Sequence, residues 1–232
     1  MKYLLLIIIC TTMLGCHVTE YIKYPRLNDE IYSNNNLKEL FRSNKNPAIV
    51  LRVPNTSDKA TSQTTNTKDN TLLYNAVEKE FLKAGFSVRD RGLFNEIISR
   101  QATTDYSKIK DLTETDIIIE VVNIETTVLY TTNQTIRKSR NGEDKEIIKP
   151  TSYIGYGASV EFKIVIIKNN EVAGTYKYNY NPCPEEGCIL SDFSRKDKRS
   201  KDFELIETVS ANSLEEFMKK CAQDLIKTFR QN

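Results

Sequence analysis

Apolar positions along the chain recur with two periods, and each period marks out its own segments. Leu72, Leu73, Ala76, Val77, Phe81 and Leu82 follow helical spacing, and Gly85 stands where a helix C-terminus favours a left-handed residue. Phe86-Ser87-Val88 then reads as a short strand with Phe86 and Val88 on one face. Asp90 is placed to accept backbone amides of a second helix, whose apolar positions are Leu93, Phe94, Ile97 and Ile98. Helix, strand and helix in succession are the core of an α/β layer.

The first strand of that layer is Ala48 to Val53, entered from Pro47 and ended by Pro54. It is apolar on both faces, as an inner strand covered on both sides is. Asn55 to Asn70 is almost entirely Asn, Thr, Ser, Asp, Lys and Gln; nothing in it can be buried, and it reads as a long exposed loop, functional or inert. Asn70 or Thr71 caps the helix that begins at Leu72. Ile109 to Leu112 reads as a turn.

The most strand-like run is Ile117 to Ile124, continuing with less apolar character through Thr132. Arg137 to Lys145 is a charged tip with Asn141-Gly142 as its turn signal. The chain returns through Tyr153 to Tyr156 into a strand carrying Val160, Phe162, Ile164 and Ile166 on one face. Lys168 to Glu171 turns it into a partner strand ending at Tyr180, with Tyr176, Tyr178 and Tyr180 on one side. These three long strands form a meander. A last helix is expected from Ser213 as N-cap, with Glu216 completing a capping box. Leu214, Phe217, Met218, Cys221, Leu225, Ile226 and Phe229 are its buried stripe, and Cys221 is expected as a buried free thiol. The fold class is therefore α/β (α+β): a central mixed sheet with helices packed on it, plus a long antiparallel β-meander.

The front of the chain follows other rules. Lys2, the apolar run Leu4 to Ile9 and the small residues before Cys16 read as a signal peptide over residues 1–15, because the run is too short to span a bilayer. Met13-Leu14-Gly15-Cys16 resembles a bacterial lipobox, which makes Cys16 the lipidated first residue of the mature chain; the other reading is plain secretion with Cys16 in a bridge. Several acyl chains at ~0.8 kcal/mol per buried methylene hold a protein at a membrane durably. His17 stands where an inner-membrane retention signal commonly carries Asp, and by resemblance to enterobacterial sorting this points to the outer membrane. Residues 16–46 read as a lipid-anchored tether and a short helix around Leu37, Leu40 and Phe41, capped from Asn34-Asn35-Asn36. Residues 47–232 read as a single α/β domain.

Charge and cysteine usage narrow the chemistry. Without Lys2 the chain keeps 32 basic residues against 31 acidic ones, a balance that argues against a nucleic-acid binder. Cys183 and Cys188 frame a loop that Pro184 and Gly187 can turn, and a local disulfide closing a hairpin end is expected of them. Arg195, Lys196, Lys198, Arg199 and Lys201 crowd into seven residues; they read as contacts to anionic head groups or an acidic partner, or as a solvated loop. The only histidine is His17, which removes Ser–His and Cys–His nucleophiles and His-based metal sites. No glycine-rich phosphate loop follows any strand. No catalytic residue, metal or cofactor is expected.

In their order along the chain, Ile49-Val50-Leu51 with Pro54 to Ser57, Gly85 to Arg91, Leu93, Ile97-Ile98, Arg100-Gln101, Thr115 to Glu120 and Tyr153 to Ala158 resemble the CsgG family of curli-assembly lipoproteins. Its wider relatives include lipoproteins that activate peptidoglycan synthases and TolB amino-terminal-type domains. The resemblance spans roughly residues 47–181. It implies a non-catalytic envelope role through contacts with other envelope proteins, and an anchor in the membrane. The family's best-known members are homo-oligomeric outer-membrane pores whose hairpins cross the membrane, and that is the alternative function. A membrane strand alternates apolar residues over ~9–11 positions. The arm Thr126 to Arg137 offers only Val128, Tyr130 and Ile136 on one face, which favours an accessory or scaffold factor.

Overall fold

A computed structural model describes residues 19–53, 68–101, 105–138, 144–183, 187–189 and 209–231. The described residues form two compact units, the larger built from those between 26 and 129, between 156 and 182 and from 209 to 231, the smaller from residues 19–25, from those between 130 and 155, and from 183 and 187–189. Two long strands, β5 (Ile117–Arg137) and β6 (Lys145–Ile166), contribute residues to both.

In the larger unit the described sheet is mixed. Strand β3 (Ala48–Arg52) pairs in parallel with both β4 (Ser87–Val88) and β5. The meander continues through β6 and β7 (Glu171–Tyr180), which are antiparallel, and β2 (Glu30–Ser33) closes the far edge against β7. Helices α1 (Asn35–Ser43), α2 (Lys68–Lys83) and α5 (Ala211–Gln231) cover one face, and α3 (Arg91–Gln101) covers the other with a 3-10 turn at Tyr106–Ile109. Alternation along β3 explains the layering: Ile49 and Leu51 enter the larger core, and Val50 enters the smaller one with Phe94, Ile109, Ile118 and Val165. Phe229 of α5 stacks on Phe41 at 4.5 Å between ring centroids, and Phe81 meets Phe86 edge-on at 5.3 Å. A short helix α4 (Lys110–Thr113) leads into β5 from a left-handed Glu114.

Local signals act as the residues dictate. Gly85 is left-handed at φ +84°, and its amide reaches the Leu82 carbonyl. The Asp90 carboxylate accepts from the Leu93 amide at 2.6 Å, and Asn34 caps α1 by accepting from Leu37 at 3.0 Å. All seven residues of the expected α5 stripe are buried, as are Tyr176 and Tyr178.

Elsewhere the structure departs from the pattern. Leu72, Leu82 and Leu93 are exposed, because each lies one residue, about 100°, off an arc that the neighbouring Leu73, Phe81 and Phe94 occupy. Helix α2 starts at Lys68, four residues before the first apolar position. The α5 cap is Ser210, whose hydroxyl accepts from the Ser213 amide at 3.1 Å; Glu216 pairs with Lys219 instead of closing a capping box. Strand β6 begins at Lys145, well before Tyr153. The stretch read as tether carries β2 and, in the smaller unit, β1 (Glu20–Ile22), strands of four and three residues that are too short to show a period.

In the smaller unit, β1 lies between β5 and β8 (Cys188–Ile189), antiparallel to both. The loop between Cys183 and Cys188 does not close a hairpin, because β8 pairs with β1 and not with β7. Gly187 turns that loop at φ +89°.

Candidate functional site

The larger unit builds a charged row across its sheet. Glu120 on β5, 5% exposed, accepts from Arg52 on β3 at 2.8 Å and faces Lys163 Nζ on β6 at 2.6 Å. The Arg52 guanidinium also lies over the Tyr106 ring, 5.7 Å from its centroid. Both carboxylate oxygens are engaged by cations, which suits a structural tie between strands better than a base waiting for a substrate proton. The sequence signal was one Glu inside the apolar run Ile117 to Val122; its partners, on other strands, were not legible.

A second cluster joins α2 to the start of α3. Arg91 donates from Nη2 to Asn75 Oδ1 at 3.3 Å, approaches Glu78 at 3.9 Å and lies over the Tyr74 ring at 5.2 Å. Burial pushes the Glu78 carboxyl up, against the pull of Arg91. A third acid, Glu80, ties α2 to α5 by accepting from Gln223 at 2.8 Å and pairs with Lys83 at 2.6 Å, which holds its carboxyl below the usual range. Cys221 is a free, buried thiol, and burial raises its pKa, so it is a poor thiolate source. Among the described residues no group of three His, Cys, Asp or Glu converges as a metal site does.

The smaller unit divides its groups between two sheet faces. On one, Glu20 accepts from Arg137 at 2.5 Å and meets Lys149 at 2.7 Å, and Ile22 and Thr135 are fully buried. Lys149 and then Arg137 hold the Glu20 carboxyl below its ordinary range. On the other, Tyr21 is directly paired with Ile136 of β5 and Ile189 of β8, which makes a row of three large side chains across three strands. Lys138 places its ammonium 4.8 Å from the Tyr21 ring centroid. Lys149 serves the Glu20 face, so alternation turns Ile148 to the Tyr21 face, and Ile148 is 74% exposed.

Of the residues singled out in the sequence, Cys183 and Cys188 are brought to disulfide distance, with Cα atoms 5.2 Å apart. Residues 1–15, Cys16, the charged tip around Asn141-Gly142, most of the Asn55–Asn70 loop and the basic run from Arg195 to Lys201 lie outside the described residues. Sequence reasoning passed over Tyr21 and Ile189 and met Ile136 only as part of one arm, because the three come from separate segments. No helix among the described residues is long and apolar enough to cross a membrane, a statement that does not extend to strands. Compared with protein-family models, with curated proteins and with solved structures, the chain matches none of them.

Proposed function

We propose that this chain is a non-catalytic lipoprotein of the bacterial envelope, anchored through Cys16 and acting as an accessory or scaffold factor through contacts with other envelope proteins. The observation that carries the reading is the spacing at the front: His17, Val18 and Thr19 alone separate the lipobox cysteine from β1, the first described strand. A lipid on Cys16 is then joined almost directly to folded structure. The CsgG-like order of segments supports the role, and His17 after the cysteine supports the outer membrane. An oxidising envelope suits a Cys183–Cys188 bridge. Among the described residues the buried acids Glu80 and Glu120 each have internal partners, which supports a role carried by surfaces.

One observation favours the alternative, a subunit of an oligomeric secretion pore: β5 and β6 run for 21 and 22 residues, long enough for a membrane hairpin. Fractionation and sizing separate the readings. Cys16→Ala is expected to leave a folded, soluble protein, and persistence of this variant in the membrane pellet refutes lipid anchoring. The detergent-extracted wild type is expected as a monomer or small oligomer; a ring of many copies establishes the pore in its place.

A further inference from the structure

We infer that the Tyr21 face of the smaller unit is a membrane-surface contact, with Ile189, Tyr21, Ile136 and Ile148 entering the head-group boundary of a phospholipid bilayer and Lys138 meeting its phosphates. This inference rests on lipidation of Cys16.

Chain length sets the geometry. Five residues take the chain from Cys16 to Tyr21, and an extended chain covers at most ~3.6 Å per residue, so Tyr21 stays within roughly 18 Å of the anchored residue. Side-chain chemistry selects the face. On the opposite face Glu20 pairs with Arg137 and Lys149, and Ile22 and Thr135 are buried. The Tyr21 face carries three isoleucines, one tyrosine and Lys138, and by the same alternation the exposed Gln134 and Glu146 stand at its margin. Among the described residues Ile148 is the most exposed of the large hydrophobic side chains. Tyrosine rings favour the membrane–water interface, where an apolar body and a polar tip are both satisfied. A lysine stem crosses such a surface and leaves its ammonium at head-group level, where anionic lipid attracts it. Four large side chains are a shallow contact that a covalent anchor makes durable, not an insertion.

The chain has no tryptophan, so one introduced residue reports alone. Ile148→Trp in the full lipidated protein, reconstituted into phosphatidylethanolamine–phosphatidylglycerol vesicles, is expected to emit further to the blue. Bromines near the carbonyl end of the acyl chains are expected to quench it more than bromines near the methyl end. Lys145→Trp, on the opposite face by alternation from Lys149, is expected to keep a water-exposed spectrum. A vesicle-bound Ile148→Trp that is unquenched, or quenched most by the deep bromines, overturns the inference. Should Cys16 carry no lipid, the protein fails to co-float with the vesicles at all, which is the separate failure of the anchoring reading. Co-flotation of Lys145→Trp and an unchanged unfolding midpoint for both variants show that each is folded and anchored.

Discussion

Glu120 on β5 and Arg52 on β3 are joined at 2.8 Å across two parallel strands, and Lys163 on β6 reaches the other carboxylate oxygen from the antiparallel side. This row ties the parallel half of the sheet to the meander at a point where the surrounding positions, Ile119 and Val121, are fully buried.

Removing one member of a buried ionic cluster strands its partners, which typically costs 3–5 kcal/mol. Here Arg52 and Lys163 keep some solvent contact, at 19% and 33% side-chain exposure, so Glu120→Ala is expected to destabilise by about 2–3 kcal/mol. The triple variant Arg52→Met/Glu120→Leu/Lys163→Met is expected to recover most of that loss, because apolar groups of similar volume leave nothing unpaired. Urea midpoints of the two variants check both statements. A Glu120→Ala midpoint equal to wild type removes the tie from the account.

Acid sensitivity follows from two carboxylates. Lys83, and then Gln223, hold the Glu80 carboxyl below its ordinary 4.5; Lys149, and then Arg137, do the same for Glu20. A group depressed in the folded state contributes stability above its unfolded pKa and loses that contribution as pH falls through the folded value. Stability is therefore expected to hold above about pH 4.5 and to decline below it. Glu78, raised by burial, works in the opposite sense and in a higher window: its contribution grows as pH falls through its folded value and is complete near 4.5, where the decline from the other two begins. Unfolding midpoints from about pH 6 to pH 3 should show the drop, and Glu80→Gln should flatten it. An equal slope in that variant assigns the sensitivity elsewhere.

How much of this was legible in the sequence depends on how far apart the cooperating residues lie. The stripe from Leu214 to Phe229, the caps at Asn34 and Asp90 and the two-faced strand at Ile49 to Leu51 are local patterns, and the folded chain keeps them. Strands β1 and β2 escaped because three or four residues cannot display a period, so their partners on β5 and β7 define them. The same holds for the Tyr21 row: Ile136 and Ile189 lie far along the chain, and only the antiparallel register sets them side by side. Leu72 and Leu93 misled in the other direction, since an apolar residue at the margin of a helical arc looks the same in sequence whether a neighbour covers it or not.

Two left-handed glycines separate backbone strain from steric clash. A Cβ on Gly85, at φ +84°, meets nothing within 4 Å, so Gly85→Ala is charged only for its conformation, about 1–2 kcal/mol. Asparagine tolerates that conformation better, and Gly85→Asn is expected to lose less. Gly187, at φ +89°, differs because its Cβ would stand 2.8 Å from the Ile22 carbonyl oxygen, a backbone atom in the β1 ladder that cannot swing aside. Gly187→Ala therefore adds displacement of β8 from β1 to the same conformational cost. Urea unfolding reads the first pair of variants, and amide exchange at Tyr21, Ile22 and Ile189 reads the third. Exchange unchanged from wild type in Gly187→Ala means that β8 accommodates the methyl group and that the contact at Ile22 does not hold the ladder.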